Sequence, residues 1–135
     1  MTDTIQDKLL DMAYEARGRA YVPYSNYRVG ACLMTADGKL YQGANLENAG
    51  FTPTVCAERT AFFKAVYEGE RDFAAIAVVS DADEPGFPCG VCRQVMAEFV
   101  EDDFIVITAD RNRNATICRF DELLPHAFGP RNLLK

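Results

Sequence analysis

A continuous apolar run, Phe73-Ala74-Ala75-Ile76-Ala77-Val78-Val79-Ser80, stands between two segments with helical features. A run of this kind, rich in Val and Ala, is typical of a strand that is buried on both faces of a sheet. A second such run covers residues 104–109. The helices are predicted at 56–68, where Gly69 can end the helix, and at 90–100. Because helices alternate with buried strands, the sequence predicts helices on both faces of a sheet.

Further elements are predicted on either side of this central part. Thr4 and Asp7 can form a capping box for an N-terminal helix, and Asp121 can cap a short C-terminal helix. An Asp37-Gly38 turn is typical of a hairpin between two strands. These elements are helix 4–20, strands 27–35 and 40–45, strand 115–119 and helix 121–124. The order predicts a three-layer α-β-α sandwich with a mixed five-stranded sheet, in one domain that spans residues 1–135.

The composition excludes several classes of function. With 135 residues, 49% of them hydrophobic, the chain can form one globular domain with a sizeable core. Its net charge of −6 argues against a nucleic-acid surface, and no stretch approaches the ~20 apolar residues of a membrane span. Residues 1–8 lack an apolar run, so no secretory signal is predicted. We therefore expect a cytoplasmic protein whose thiols stay reduced and free to bind metal.

Three of the five cysteines form an unusual pattern with one glutamate: Cys56-Ala57-Glu58 and Pro88-Cys89-Gly90-Val91-Cys92. Three thiolates hold a zinc ion and leave its fourth position open, which is typical of a catalytic rather than a structural zinc site. Glu58 then supplies a group that can take and return protons. Residues at i and i+2 point apart inside a helix, so we expect Cys56 to open its helix, with the pocket beyond the helix N-terminus.

The residues next to the motif suggest how its charge is balanced. Three thiolates and Zn²⁺ leave a surplus negative charge, which weakens the acidifying effect of the metal on water. Arg59 follows Glu58 directly and Arg93 follows Cys92 directly. We predict that one or both donate hydrogen bonds to the cysteine sulfurs, with Arg59 the stronger candidate. Cys32 and Cys118 lie among apolar residues of predicted strands, where buried inert thiols are expected.

Several segments beyond the cysteines match one family in the same order. Together they resemble the small, homotetrameric cytidine deaminases of nucleoside salvage, and the resemblance runs from the first helix to about Phe128. The segments that carry it are Asn45-Leu46-Glu47-Asn48-Ala49, Cys56-Ala57-Glu58-Arg59-Thr60-Ala61, Pro88-Cys89-Gly90-Val91-Cys92-Arg93-Gln94 and Glu122-Leu123-Leu124-Pro125.

The resemblance implies a specific chemistry for the cysteine motif. By it, Cys56, Cys89 and Cys92 bind one Zn²⁺ per subunit, and Glu58 moves protons between water, N3 of the pyrimidine and the leaving amino group. The implied reaction is the hydrolytic deamination of cytidine and deoxycytidine to uridine and deoxyuridine in pyrimidine salvage. No nucleic acid or membrane partner is implied, because the substrate is a free nucleoside.

The resemblance also implies a set of substrate contacts. Asn45 and Glu47 resemble the pair that binds the sugar, and an amide and a carboxylate at i and i+2 of a strand share one face. Ala57 belongs to the same set, and Tyr27 occupies the position where the family usually has a Phe near the base. Phe128 resembles the aromatic residue that a neighbouring subunit of the homotetramer lends to the pocket.

Four other interpretations fit part of the pattern. A structural zinc site needs a fourth ligand, which Cys32, Cys118 or His126 would have to supply. A redox C-x-x-C motif leaves Cys56 and Glu58 without a role. A deaminase of a nucleoside-like antibiotic, of the blasticidin S type, lacks the Asn-x-Glu pair. A polynucleotide-editing deaminase is disfavoured, since the chain is acidic and short.

Overall fold

The computed structural model describes residues 1–134, in which five strands form one sheet with helices on both of its faces. The predicted α/β sandwich with a mixed sheet is therefore confirmed. In chain order the elements are α1 (Asp3–Arg17), β1 (Val29–Thr35), β2 (Leu40–Ala44), α2 (Ala57–Tyr67), β3 (Phe73–Ser80), α3 (Gly90–Phe99), β4 (Ile105–Ala109), β5 (Ala115–Arg119), α4 (Phe120–Leu123) and α5 (Pro130–Leu133). Within the described chain no helix is both long and apolar enough to cross a membrane.

The strands are ordered β2-β1-β3-β4-β5 across the sheet. β3 and β4 run parallel because α3 connects them as a crossover, and the other neighbouring pairs are antiparallel. In the pairing of β1 with β3, Val29 lies opposite Ser80. The first residues of β1 therefore lie beside the last residues of β3. From this end of the strands the chain continues toward α3.

The central strand is buried on both faces, as its apolar composition predicts. Ile76 and Val78 belong to a core shared with α2 and α3, in which the Phe62 ring packs against the rings of Phe99 and Phe104. The side chains of Ala75, Ala77 and Val79 face the opposite core, beneath α1. The small residues on this second face allow α1 to approach closely, since less side-chain volume separates the helix from the sheet.

One glycine determines how closely α2 packs on the edge strand β2. A Cβ atom on Gly43 would lie 2.4 Å from the carbonyl oxygen of Ala57 and 2.6 Å from the amide nitrogen of Ala61. Because both neighbours are helix backbone, they cannot rotate away as a flexible side chain can. The glycine therefore allows the first turn of α2 to lie directly against the end of β2.

The structure corrects the predicted starts of two helices and adds one helix that was not predicted. Thr2 is the N-cap of α1 and its Oγ1 accepts a hydrogen bond from the Ile5 amide, so Thr4 and Asp7 do not form the predicted capping box. α4 begins one residue before Asp121, because the Arg119 amide donates to Glu122 Oε1 and makes Arg119 the N-cap. The single-turn helix α5 was not predicted. A single turn carries too little apolar periodicity to identify α5, whereas α4 was predicted from a capping residue.

Candidate active site

The three motif cysteines meet at the N-termini of two helices. Cys56 is the N-cap of α2, Cys89 is the N-cap of α3, and Cys92 lies in the first turn of α3. The Sγ atoms of Cys56 and Cys89 are 3.9 Å apart, and those of Cys89 and Cys92 are 3.3 Å apart. All three sulfurs lie within 4.8 Å of one another. The expectation that Cys56 opens its helix is therefore correct.

This geometry fits a zinc ion. Zinc–sulfur bonds of about 2.3 Å in a tetrahedron place the sulfurs about 3.8 Å apart, which is close to the observed separations. The electrostatics favour a thiolate at Cys56, whereas the hydrogen bond with Cys56, together with burial, raises the pKa of Cys92. A hydrogen bond with Cys92 and, against the effect of burial, another from Arg59 lower the pKa of Cys56 to about 5. Three protein ligands leave one position of a tetrahedral zinc free for water or substrate.

The two arginines beside the motif make different contacts. Arg59 Nη2 lies 3.4 Å from Cys56 Sγ, which is the contact predicted for it. Arg93 instead donates to two carbonyl oxygens, those of Pro88 and Leu123, at 2.7 Å each, so the alternative of an Arg93–sulfur contact is wrong. Arg93 ties the segment before Cys89 to the chain after α4. Its role is structural support of the cysteine-bearing loop.

Glu58 occupies the first turn of α2, where only 5% of the residue is exposed. Burial is the largest cause that raises the pKa of Glu58, to about 7, and negative charge on Cys56 acts in the same direction. A carboxyl group with a pKa near neutral both accepts and releases protons readily at physiological pH. The carboxyl group can therefore move protons beside the sulfur cluster.

A cavity of about 240 Å³ joins these groups to the predicted substrate contacts. Of the residues named from the sequence, those that line it are Tyr27, Asn45, Glu47, Cys56, Ala57, Glu58 and Cys89. The wall is completed by Val29, Thr54, Val55, Val78, Val79, Ser80, Gly86 and Phe87. Phe87, which is 47% exposed, was not predicted, although a lone aromatic residue in a polar loop directly before Pro88-Cys89 is a recognisable signal in the sequence.

Asn45 and Glu47 reach this cavity from an extended segment beyond β2 rather than from the strand itself. β2 ends at Ala44, and Leu46 continues the extended backbone through single bridges to Tyr21 and Val55. The two side chains therefore lie on the same side of Leu46. The prediction that they share a face is correct, but the strand ends one residue earlier than predicted.

Both side chains already hold the backbone of the loop that covers the cavity. Asn45 Oδ1 accepts from the Val29 amide, and its Nδ2 donates to the Tyr27 carbonyl, each at 2.9 Å. Glu47 Oε1 accepts the amides of Tyr24 and Ser25 at 3.0 and 3.1 Å. Hydrogen bonds from Ser25 and Tyr24 lower the pKa of Glu47 despite some desolvation, so it is ionised at neutral pH. One amide hydrogen and one carboxylate oxygen remain available for a ligand.

Three residues of the predicted site do not line the cavity. Cys92 and Arg59 contact the sulfurs of its lining cysteines from behind, whereas Phe128 contacts none of the lining residues named above. It is 59% exposed, and its carbonyl accepts a hydrogen bond from Gln94 Nε2 at 2.8 Å. Another cavity, of about 230 Å³, lies between the end of α3 and residues 127–131, and none of the predicted site residues lines it.

The two other cysteines take no part in the site. Cys32 is fully buried beneath α1, where burial raises the pKa of its thiol to about 11. Cys118 is partly buried, and its thiol contacts the Val106 carbonyl oxygen at 3.7 Å. Burial raises the pKa of Cys118 as well. Both thiols are therefore protonated at neutral pH and poor as nucleophiles or ligands.

Comparison with known proteins gives one consistent family. The sequence model described as the cytidine and deoxycytidylate deaminase zinc-binding region matches residues 3–108. The chain is 46% identical over 127 residues to the cytidine deaminase of Sporosarcina psychrophila, covering 94% of this chain and 93% of that protein. It is 51% identical over 120 residues to the cytidine deaminase of Halalkalibacterium halodurans, covering 89% of this chain and 91% of that protein. The crystal structure of cytidine deaminase from Burkholderia pseudomallei superposes with a TM-score of 0.89 at 45% identity, covering 95% of this chain and 100% of that one.

Proposed function

Because the chain belongs to the cytidine deaminase family, we propose that it hydrolyses the 4-amino group of cytidine and deoxycytidine, releasing uridine or deoxyuridine and ammonia. The observation that carries this proposal is a single cavity. It brings together the sulfur cluster, the buried carboxyl group of Glu58, and the Asn45 and Glu47 side chains. The sulfur cluster and Glu58 provide the metal site and the proton transfer that hydrolysis at a ring carbon requires. Asn45 and Glu47 suit the binding of a sugar hydroxyl.

The zinc ion, when held by Cys56, Cys89 and Cys92, supplies a Lewis acid that activates water for attack. Glu58 takes a proton from the attacking water and gives it to N3 of the pyrimidine. It then moves a proton to the departing amino group. A carboxyl group with a pKa of about 7 suits both directions of transfer. Arg59, in contact with Cys56 Sγ, offsets the negative charge of the ligand set.

The remaining residues hold the substrate. Asn45 and Glu47 bind the ribose 3′-hydroxyl with the amide hydrogen and the carboxylate oxygen that the loop contacts leave free. Tyr27 packs near the base, and Ala57, fully buried at the start of α2, contacts the ring edge. The Asn45–Glu47 pair supports a plain nucleoside rather than an antibiotic of the blasticidin S type. The comparisons give no support for the antibiotic alternative.

We also propose the biological setting of this reaction. The protein acts in pyrimidine salvage in the cytoplasm, and residues 1–135 form one catalytic unit. It assembles as a homotetramer in which Phe128 of one subunit enters the cavity of a neighbour. The support is that Phe128 is exposed and lies outside the cavity of its own chain, while exposed Tyr24 and Phe51 flank Glu47.

The experiment that tests the function follows the ultraviolet absorbance of cytidine incubated with the zinc-loaded protein, together with an assay for released ammonia. We expect the spectrum to change to that of uridine, with one ammonia released per nucleoside. An unchanged spectrum would contradict the proposal. Incubation with blasticidin S under the same conditions would then show whether the site serves the antibiotic-type substrate instead.

A further inference from the structure

The carboxylate of Asp81 lies next to residues of the cavity and makes more contacts than a single surface ion pair provides. Asp81 follows β3 directly, and Arg28 precedes β1 directly, so they face each other one step beyond the Val29–Ser80 pair of the sheet. The Asp81 amide donates to the Arg28 carbonyl at 3.1 Å. Asp81 is thus the first residue of the loop that leads to Cys89, and Arg28 is the last residue of the loop that contains Tyr27.

The side chains reinforce this backbone contact. Arg28 donates Nε to Asp81 Oδ2 and Nη2 to Asp81 Oδ1, both at 3.0 Å, and its own amide donates to Oδ2 at 2.9 Å. Arg17 Nη1 lies 3.5 Å from Asp81 Oδ1 and donates to the Ser80 carbonyl at 3.0 Å. Two-pronged, charge-assisted contacts of this kind are geometrically specific and stronger than neutral hydrogen bonds.

The pair joins the two sides of the cavity. Tyr27, which precedes Arg28, lines one part of the cavity, and Phe87 and Cys89, near the far end of the loop that begins at Asp81, line another. The loop from 81 to 89 is held at its far end by the contact of Arg93 with the Pro88 carbonyl. At its near end it is held by Asp81 and by the hydrogen bond from the Arg111 amide to the Ala82 carbonyl. The sulfur cluster therefore has its own support. The Arg28–Asp81 pair joins the segment of Tyr27 to the start of the loop that leads to Cys89, and it adds to the contacts that Asn45 makes with Tyr27 and Val29.

We propose that Arg28 and Asp81 are positioning residues that fix the distance between the Tyr27 wall and the Cys89-bearing loop, and so determine how tightly the nucleoside is held. This inference rests on the proposed function, because it concerns the same cavity. Neither side chain lines the cavity, so each acts through its neighbours. Losing the pair loosens the wall that holds the base but leaves the cysteines and Glu58 in place.

The test compares Arg28→Ala, Asp81→Asn and the double variant with the wild type, measuring zinc per chain and both kcat and KM for cytidine. We expect full zinc content, kcat within about twofold, and KM about tenfold higher in each single variant, since a charge-assisted hydrogen bond contributes on the order of 1.4 kcal/mol. The double variant should be no worse than Asp81→Asn alone, because both substitutions break one interaction. Arg28→Lys keeps the positive charge but cannot make the two parallel hydrogen bonds of the guanidinium group, so it should give an intermediate KM.

The matched control is Arg119→Ala, which removes an exposed arginine whose two contacts with Asp121, at 3.2 Å each, lie away from the cavity. Its KM should equal that of the wild type. An unchanged KM in an active Arg28→Ala protein would overturn the positioning role. A loss of zinc or of kcat at constant KM would overturn it too, since it would indicate general structural damage. A wild-type protein that does not deaminate cytidine would contradict the proposed function instead.

Discussion

At the scale of single residues, Glu58 depends on its place in the first turn of α2. An exposed glutamate at this position would be ionised at neutral pH and could not donate a proton. Here the core shared by α2 and α3 and the sulfur cluster enclose the carboxyl group, and burial raises its pKa to about 7. The same position in the first turn of α2 also places the carboxyl group beside the cysteine sulfurs. The chemistry therefore follows from where the helix begins.

The Glu58→Gln variant separates proton transfer from metal binding. Glutamine has nearly the same shape and buries no charge, so we expect the fold and the zinc content to be retained. We expect kcat to fall by about 10⁴-fold, because general acid–base catalysis contributes 10²–10⁴-fold and Glu58 acts in more than one transfer. Zinc per chain and steady-state rates measure the two effects. A rate near that of the wild type would exclude Glu58 from the mechanism.

The residue scale also shows what the sequence could and could not predict. The cysteines, Glu58 and the Arg59 contact follow from local spacing at two helix starts, so their arrangement was predictable. The contact of Arg93 with the Leu123 carbonyl joins residues 30 positions apart, and the sheet order alone brings Arg28 to Asp81. Complementary charges at the ends of two predicted strands were the only available signal for that pair.

At the scale of elements, the position of α2 depends on a close backbone contact. The start of the helix carries Cys56, Ala57 and Glu58, and Gly43 allows it to pack directly on β2. The buried strand β3 has the predicted bounds because its continuous apolar composition identifies it, and the largely exposed edge strand β5 has the predicted bounds as well. Helix ends were less predictable, because capping depends on which side chain, Thr2 or Thr4, meets a free amide.

Gly43→Ala tests the dependence of the site on this contact. The added Cβ must displace the Ala57 carbonyl. We therefore expect the free energy of unfolding to fall by about 1–3 kcal/mol, and the rate of deamination to fall as well. Urea denaturation and steady-state kinetics measure both. Gly18→Ala is the matched control, because its φ of −65° suits alanine and its new Cβ would lie 3.4 Å from the nearest atom, the Glu15 carbonyl oxygen. Equal effects of the two substitutions would contradict the argument.

Asp110, in the turn between β4 and β5, makes the stability of the protein depend on pH. Asp110 Oδ1 accepts the amides of Asn112 and Asn114, and Oδ2 accepts from Asn114 Nδ2 at 2.9 Å. The side-chain bond from Asn114, followed by the two amides, holds the pKa of Asp110 below its ordinary value against a smaller effect of desolvation. The stabilisation is therefore complete above the unfolded pKa of about 4 and disappears as the pH falls through the lower folded pKa.

We expect Asp110→Asn to be less stable than the wild type at pH 7 and to approach it as the pH falls through the lowered folded pKa of Asp110, where the carboxylate becomes neutral in the wild type too. Urea denaturation of both proteins from pH 7 to pH 2.5 measures the difference in free energy. Asp103→Asn, a change at an exposed position before β4, is the control and should follow the wild-type curve. Parallel curves for Asp110→Asn and the wild type would contradict the assignment.

At the scale of the whole molecule, the site lies where four element ends meet. One cavity lies beyond the ends of the inner strands. It is surrounded by the start of β1, the end of β3 and the N-termini of α2 and α3. Crevices at the carboxyl ends of parallel strands are the usual binding places of open α/β sheets, because the loops there converge on a common space. A neighbouring cavity, lined by the exposed side chains of Tyr24 and Phe51, adjoins this one at Glu47 and Thr54. A neighbouring subunit is the proposed cover.

The contribution of a second subunit can be tested by mixing two impaired variants. Glu58→Gln lacks the proton shuttle, and Phe128→Ala lacks the proposed covering ring, so each alone should be strongly impaired. In a mixed assembly, a Phe128→Ala chain keeps its own Glu58 and can receive Phe128 from a Glu58→Gln neighbour. We therefore expect the two variants, co-expressed with different tags and purified through both, to regain part of the wild-type rate. If Phe128 instead serves its own chain, or if the protein is a monomer, no site in the mixture is complete and the mixture stays as impaired as its components.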